Sequence, residues 1–409
     1  MPTIADHILT LAVGVSAAGL LLYSVFVMYQ VFRTDRALPT ARAGIAAAED
    51  NPPREKACVI VPAHNEAGSI ATLIASLKAQ DYDRLRFVLA LDRCTDDTRG
   101  VAERAIDRDP RFEIIEIGHC PEGWAGKVHA AWTAFNRSSS AQSSDSVLFT
   151  DADTAFDPGC VRACLALARQ RRLDMLSLFC TLRAERWFER LAQTAAGFEL
   201  ARQYPLIRAN ADDHIRRRPF ANGQFMLFDT GAYRAIGGHE AVKEALLEDI
   251  AFARTLTARG MRSGLLLADN IVRCHMYHDW AQFRKGWKRI LTESANREPR
   301  RLRRYAQRCV TLGVLLPGTV LVGGVAGAWL RPDAAGWTLL GLCAAALCAW
   351  LLSLALVYRR SGARVADCLG FPVGAWLISS IYREARRDLL SGKPTSWGGR
   401  EYIREPSGA

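Results

Sequence analysis

The sequence predicts an α/β domain built on a mostly parallel sheet, set between membrane-spanning helices at its N- and C-terminal ends. Two observations carry this reading. Between residues 57 and 150, short apolar runs alternate with helix-periodic segments, the pattern of strands joined by crossover helices. On either side lie long apolar stretches without a charged residue.

The first stretch is His7 to Phe32, the second Cys309 to Leu330 and the third Ala335 to Tyr358. Each is about as long as a bilayer crossing needs, roughly 20 residues for a hydrocarbon core of about 30 Å. Asp6 precedes the first, no basic stretch does, and Arg33 and Arg36 follow it. Residues 1–33 therefore read as a retained anchor and not as a cleaved signal peptide. Lys and Arg cluster after the first run, before the second (Arg297 to Arg308) and after the third. The positive-inside rule then predicts a multi-pass protein of the inner (plasma) membrane with its catalytic domain in the cytoplasm.

Residues 305–390 make the C-terminal membrane region. Within it, 365–382 is apolar but has arginines on both flanks and is interrupted by Gly370, Pro372 and Gly374. A re-entrant or interfacial segment is expected there, with a fourth span as the alternative and 391–409 as a cytoplasmic tail.

Residues 34–56, rich in Ala, Pro and charge, read as a linker to a domain over 57–300. Ala57 to Pro62 is the first strand, placed at an edge because it ends in proline. Ala67 to Gln80 carries Ile70, Leu73, Ile74 and Leu77 on one helical face. Phe87 to Leu91 is the second strand and ends at Asp92; Thr98 to Ile106 is helical; Phe112 to Ile117 is the third strand. Lys127 to Asn136 forms a helix, and Val147 to Thr150 a strand running into Asp151-Ala152-Asp153. Strand C-termini gather ligands in such sheets. Here they carry His64-Asn65-Glu66, Asp92 and the paired aspartates.

The net charge of +11 sits largely beside the apolar runs. That favours anionic headgroups or a phosphorylated substrate and speaks against nucleic acid. Eleven scattered cysteines without a C-x-x-C pair read as reduced thiols, with no zinc site. His239, His275 and His278 match no metal spacing. No feature assigns an oligomeric state.

Val61-Pro62-Ala63-His64-Asn65-Glu66, Leu91 to Thr98 and Asp151-Ala152-Asp153 together resemble the family 2 glycosyltransferases with a GT-A type domain. Asn222-Gly223-Gln224, Gly237-Gly238 and Leu247-Glu248-Asp249 follow in the family's order, and Gln282 to Trp287 is similar to its Gln-x-x-Arg-Trp element. Gly123 to Lys127, Ala221 to Phe228 and Trp397 to Tyr402 carry a narrower resemblance to carotenoid- and hopanoid-associated lipid glycosyltransferases.

The resemblance implies a nucleotide-sugar donor, a UDP-sugar first, and a membrane lipid acceptor. It places Pro62, Asn65, Glu66, Asp92, Lys127 and Asp151 at the donor, with Asp153 and Asp151 holding Mg²⁺ or Mn²⁺. Hard cations of that kind take oxygen ligands and share phosphates. Asp249 is the expected general base for inverting transfer, with Glu248 as the alternative. Asn222, Gly223, Gln224, Gln282, Arg284 and Trp287 would face acceptor and diphosphate. Here the pattern departs: the position of the family's Arg falls on Lys285 or Gly286, one residue further from Trp287. An interfacial amphipathic helix explains that segment equally well. A processive polysaccharide synthase and a non-catalytic nucleotide-sugar-binding protein are the alternative functions.

Overall fold

The computed structural model describes residues 4–210 and 217–407. Its strands are β1 (Ala57–Ala63), β2 (Leu85–Asp92), β3 (Phe112–Ile117), β4 (Ser146–Phe149), β5 (Thr154–Phe156) and β6 (Met175–Phe179). They continue with β7 (Thr181–Leu182), β8 (Met226–Asp229), β9 (Ser263–Leu267), β10 (Val272–Cys274), β11 (Thr395–Trp397) and β12 (Arg400–Tyr402). The main sheet has the order β3-β2-β1-β4-β8-β6-β9. Neighbours are parallel except around β8, which runs antiparallel to both β4 and β6.

Side chains alternate across this sheet, as a period of two requires. Val59, Val61, Phe87 and Leu89 bury against Ile70, Leu73, Ile74 and Leu77 on one face. Cys58, Ile60, Val88 and Ala90 bury against Val128, Ala131 and Ala134 on the other. Both faces are covered, so β1 and β2 read as continuous apolar runs.

Two expectations change. β1 is central, between β2 and β4, and runs through Pro62 to Ala63. The Ile60 carbonyl receives the Thr150 amide, so Pro62, two residues on, faces the same side, beyond the end of the β4 ladder. No ladder bond is lost there, and the proline costs little. The expected linker is instead docked. Its Ala43–Asp50 helix packs on the Cys160–Gln170 helix, with Ala41 and Ala48 fully buried. A Cβ on Gly44 would stand 2.3 Å from the Ala163 carbonyl oxygen, so small residues are what allow this approach.

Among the described residues, four helices are long and apolar enough to cross a membrane: Asp6–Ala37, Pro299–Leu330, Ala334–Ser361 and Val365–Leu390. The last differs from the others. Ile378, Ile381, Tyr382 and Ala385 are buried in it, and Ser379 Oγ donates to the Ala306 carbonyl at 2.9 Å. Asp367 near its start pairs with Arg190 at 2.6 Å, and Asp388 near its end pairs with Lys288 at 2.6 Å. Both ends are thus bonded to the 57–300 domain.

Candidate functional site

The Gly126–Arg137 helix, the turn after β4, the 222–224 turn and the Glu248–Ala258 helix meet at the ends of β1 and β4. Their polar side chains converge. Lys127 Nζ lies 2.6 Å from Asp151 Oδ1 and 2.5 Å from Glu248 Oε1. The Gly223 amide donates to Asp249 Oδ2 at 2.8 Å, and the Ile250 amide to Asp249 Oδ1 at 2.7 Å. A Cβ on Gly223 would stand 3.0 Å from Glu248 Oε1 and 3.1 Å from Lys127 Nζ, which is why a glycine turns here.

The adjacent acids of one helical turn are pushed in opposite directions. Burial works against ionising Glu248, but the Lys127 ammonium, with help from Arg289, overrides it and holds that carboxyl below its ordinary range. Burial, reinforced by the Glu248 charge, pushes Asp249 up to about 6. Asp151 is raised by burial despite Lys127. Asp153 is raised much further, by burial and then by Asp151 and Glu66. One oxygen of Asp153 is buried with no hydrogen-bond partner. A bound cation would relieve both conditions.

Beneath the aspartates, Thr150 Oγ1 donates to the Gln224 carbonyl at 2.7 Å. Gln224 Nε2 lies 2.9 Å from Cys274 Sγ, and Asn222 Nδ2 donates to Gln224 Oε1 at 3.1 Å. Residues 222–224 thus support the site from below. All eleven cysteines are free thiols, and His239 is a core imidazole bonded to the Tyr233 hydroxyl at 2.8 Å and pushed down to about 3 by burial.

At the other side of the site, Asp92 is buried at the tip of β2 and bridged by Arg93 at 2.9 and 2.5 Å. His64 Nδ1 lies 2.6 Å from the Asp92 carbonyl oxygen. Glu66, raised by burial, accepts from Ser69 Oγ at 2.5 Å. Asn65 turns away into the 94–97 loop, where its Oδ1 receives the Thr95 amide at 2.7 Å.

The 282–287 element does not join this cluster. Gln282 is exposed and accepts from the His278 amide, Arg284 pairs with Glu384 at 2.6 Å, and Trp287 is buried beside Phe283. The cation that reaches the site from this helix is Arg289, whose Nη1 donates to the Leu246 carbonyl and whose charge stabilises both Asp151 and Glu248. It lies seven positions after Gln282, on the same helical stripe. That spacing was the available signal. Reading the register from Trp287 points to Arg284, on a different face.

A mostly parallel sheet whose strand ends gather a lysine and several carboxylates is a layout suited to a nucleotide ligand. Residues 58–236 match the family model described as "Glycosyl transferase family 2", so over that stretch the chain is similar to glycosyltransferases with a GT-A type domain. No curated protein matches the chain. Among solved structures it is similar to the mannosyltransferase PcManGT from Pyrobaculum calidifontis in complex with GDP-Man and Mn²⁺. That pair shares 17% identity over 84% of this chain and 99% of the other, with a TM-score of 0.44. It is also similar to residues 1–349 of S. aureus TarS with UDP-GlcNAc, at 14% identity over 86% and 97% and a TM-score of 0.40.

Proposed function

We propose that this enzyme moves one sugar from a nucleoside-diphosphate donor, first among them a UDP-sugar, to a hydroxyl of a membrane lipid at the cytoplasmic leaflet, inverting the anomeric centre. The observation that carries the reading is Asp249. Two backbone amides aim it, and it is poised at about 6, one residue from a carboxylate already committed to Lys127.

A carboxylate near neutrality suits a general base. As the acceptor oxygen forms its bond to the anomeric carbon, its proton passes to Asp249. The bond from that carbon to the phosphate oxygen breaks, and its electron pair leaves with the diphosphate. Lys127 stays protonated, its charge reinforced by Asp151 and Glu248 against the opposing effect of burial. Asp92 accepts from ribose hydroxyls or the base.

Asp153, with its unpartnered buried oxygen, and Asp151 are the residues that would hold Mg²⁺ or Mn²⁺. Among the described residues there is no group of three or more His, Cys, Asp or Glu suited to a metal, so most ligands of such an ion would come from outside the protein, as water or phosphate oxygens. When bound, such an ion offsets charge on the leaving diphosphate. A lipid acceptor is supported by the domain's bonds to helices whose outer faces expose Leu11, Phe26, Leu321 and Trp329.

The test is nucleoside diphosphate release by detergent-purified protein with Mn²⁺, from a panel of UDP- and GDP-sugars, with and without total membrane lipid. Release from one donor only when lipid is present is the expected result. Equal release with water-soluble acceptors and no lipid would overturn the lipid assignment.

A further inference from the structure

The β11–β12 hairpin belongs to the tail, yet its bonds run to the site. Gly398 and Gly399, at φ +54° and +70°, form its two-residue turn, a geometry in which side chains are strained. From this turn the Gly398 carbonyl accepts from Arg93 Nη2 at 3.0 Å, beside Asp92. The Tyr402 hydroxyl accepts the Gly126 amide at 3.1 Å, one residue before Lys127. Lys285 Nζ donates to Ser396 Oγ at 3.1 Å. The Arg289 guanidinium lies over the Trp397 ring, 3.7 Å from its centroid.

Arg289 matters because Lys127 is already shared between two carboxylates. A diphosphate that departs gains a charge which Lys127 alone cannot balance. Arg289 has a buried Nε without a partner, while its Nη1 is tied to the Leu246 carbonyl. Held flat, a guanidinium offers a planar fork that fits two phosphate oxygens. A long arginine side chain left free would sample many rotamers, and the indole face limits that choice.

We propose that Trp397 is a positioning residue that holds Arg289 for the distal phosphate of the nucleoside diphosphate. The proposal rests on the donor reading above. It distinguishes a diphosphate from a monophosphate, because Arg289 serves the phosphate that only the former carries.

The experiment titrates UDP and UMP, and GDP and GMP, into the full-length protein in detergent with Mn²⁺. Trp397→Ala should weaken the better-bound diphosphate about 3- to 30-fold, the range of a partly desolvated cation–π contact, and leave its monophosphate unchanged. Trp397→Phe should recover most of the loss. Arg289→Lys, which keeps the charge but not the planar stack, should show the same selectivity, and combining it with Trp397→Ala should add little. Equal losses for mono- and diphosphate, additive losses, or no loss in either single variant would overturn the proposal. If the wild-type protein bound neither diphosphate, the donor reading itself would fall, and that result is separate from a wild type that binds and a variant that does not discriminate.

Discussion

Glu248 and Asp249 are chemically near-identical neighbours, and one ammonium separates their roles. Glu248 spends its charge on Lys127, whereas Asp249 faces backbone amides and keeps an affinity for protons near neutrality. Asp249→Asn should therefore lower kcat by about 10²- to 10⁴-fold, the usual contribution of a general base, while UDP binding by calorimetry stays unchanged. A base that must be ionised also sets the pH profile. With Asp249 at about 6, kcat/KM should climb between pH 5 and 7 and then level off; a profile flat across that window would assign the base elsewhere. Lys127→Met removes the cation that the buried Glu248 shares with Asp151. Both acids would then titrate higher in the folded than in the unfolded chain, so stability must fall as pH rises. Asp151 is partly exposed, which puts the cost at about 2–3 kcal/mol, under the 3–5 typical of a fully buried pair. Thermal unfolding should show a larger drop in Tm at pH 8 than at pH 5.

Among elements, those with a clear period were legible in advance. The Thr98–Ile106 helix falls where its apolar spacing puts it, since it buries one regular face, and β3 spans the expected Phe112–Ile117 with apolar residues on both faces. The carboxylates were legible too, because strand ends of a parallel sheet point at one crevice. What local pattern could not supply was long-range order. The antiparallel insertion of β8 between β4 and β6 depends on partners far apart in sequence, and nothing within its four residues encodes direction. Arg289 was missed for a related reason: a helix face is fixed by what packs on it, and the buried Trp287 turned out to define the opposite side. The Phe371–Leu390 helix tests packing at this scale. A Cβ on Gly374 would stand 1.9 Å from the Leu191 carbonyl oxygen, backbone that cannot move aside cheaply. Gly374→Ala should separate this helix from the Glu189–Gln193 turn and cost about 1–3 kcal/mol, read as a lower Tm in detergent.

At the scale of the whole molecule, the bonds at Asp367 and Asp388 tie both ends of the fourth apolar helix to residues of one domain. A helix anchored at both ends to one domain does not deliver its far end to the opposite surface. The fourth apolar helix is therefore expected to lie along the domain's side of the membrane, with the tail on that side too. Single cysteines make this measurable in intact spheroplasts. A cysteine at Asp333, between the second and third apolar helices, should react with an impermeant maleimide, whereas one at Glu405 should react only after lysis. Labelling of both before lysis would restore the four-span arrangement.

The contact between Arg93 and Gly398 joins residues 305 positions apart. During synthesis the sheet around β1 and β2 leaves the ribosome long before the hairpin does, and three helices long and apolar enough to cross a membrane are made in between. A nascent chain that stops short of Trp397 lacks both the Arg93 clasp and the indole under Arg289. The hairpin's contacts beside Asp92 and under Arg289 are thus among the last that synthesis supplies.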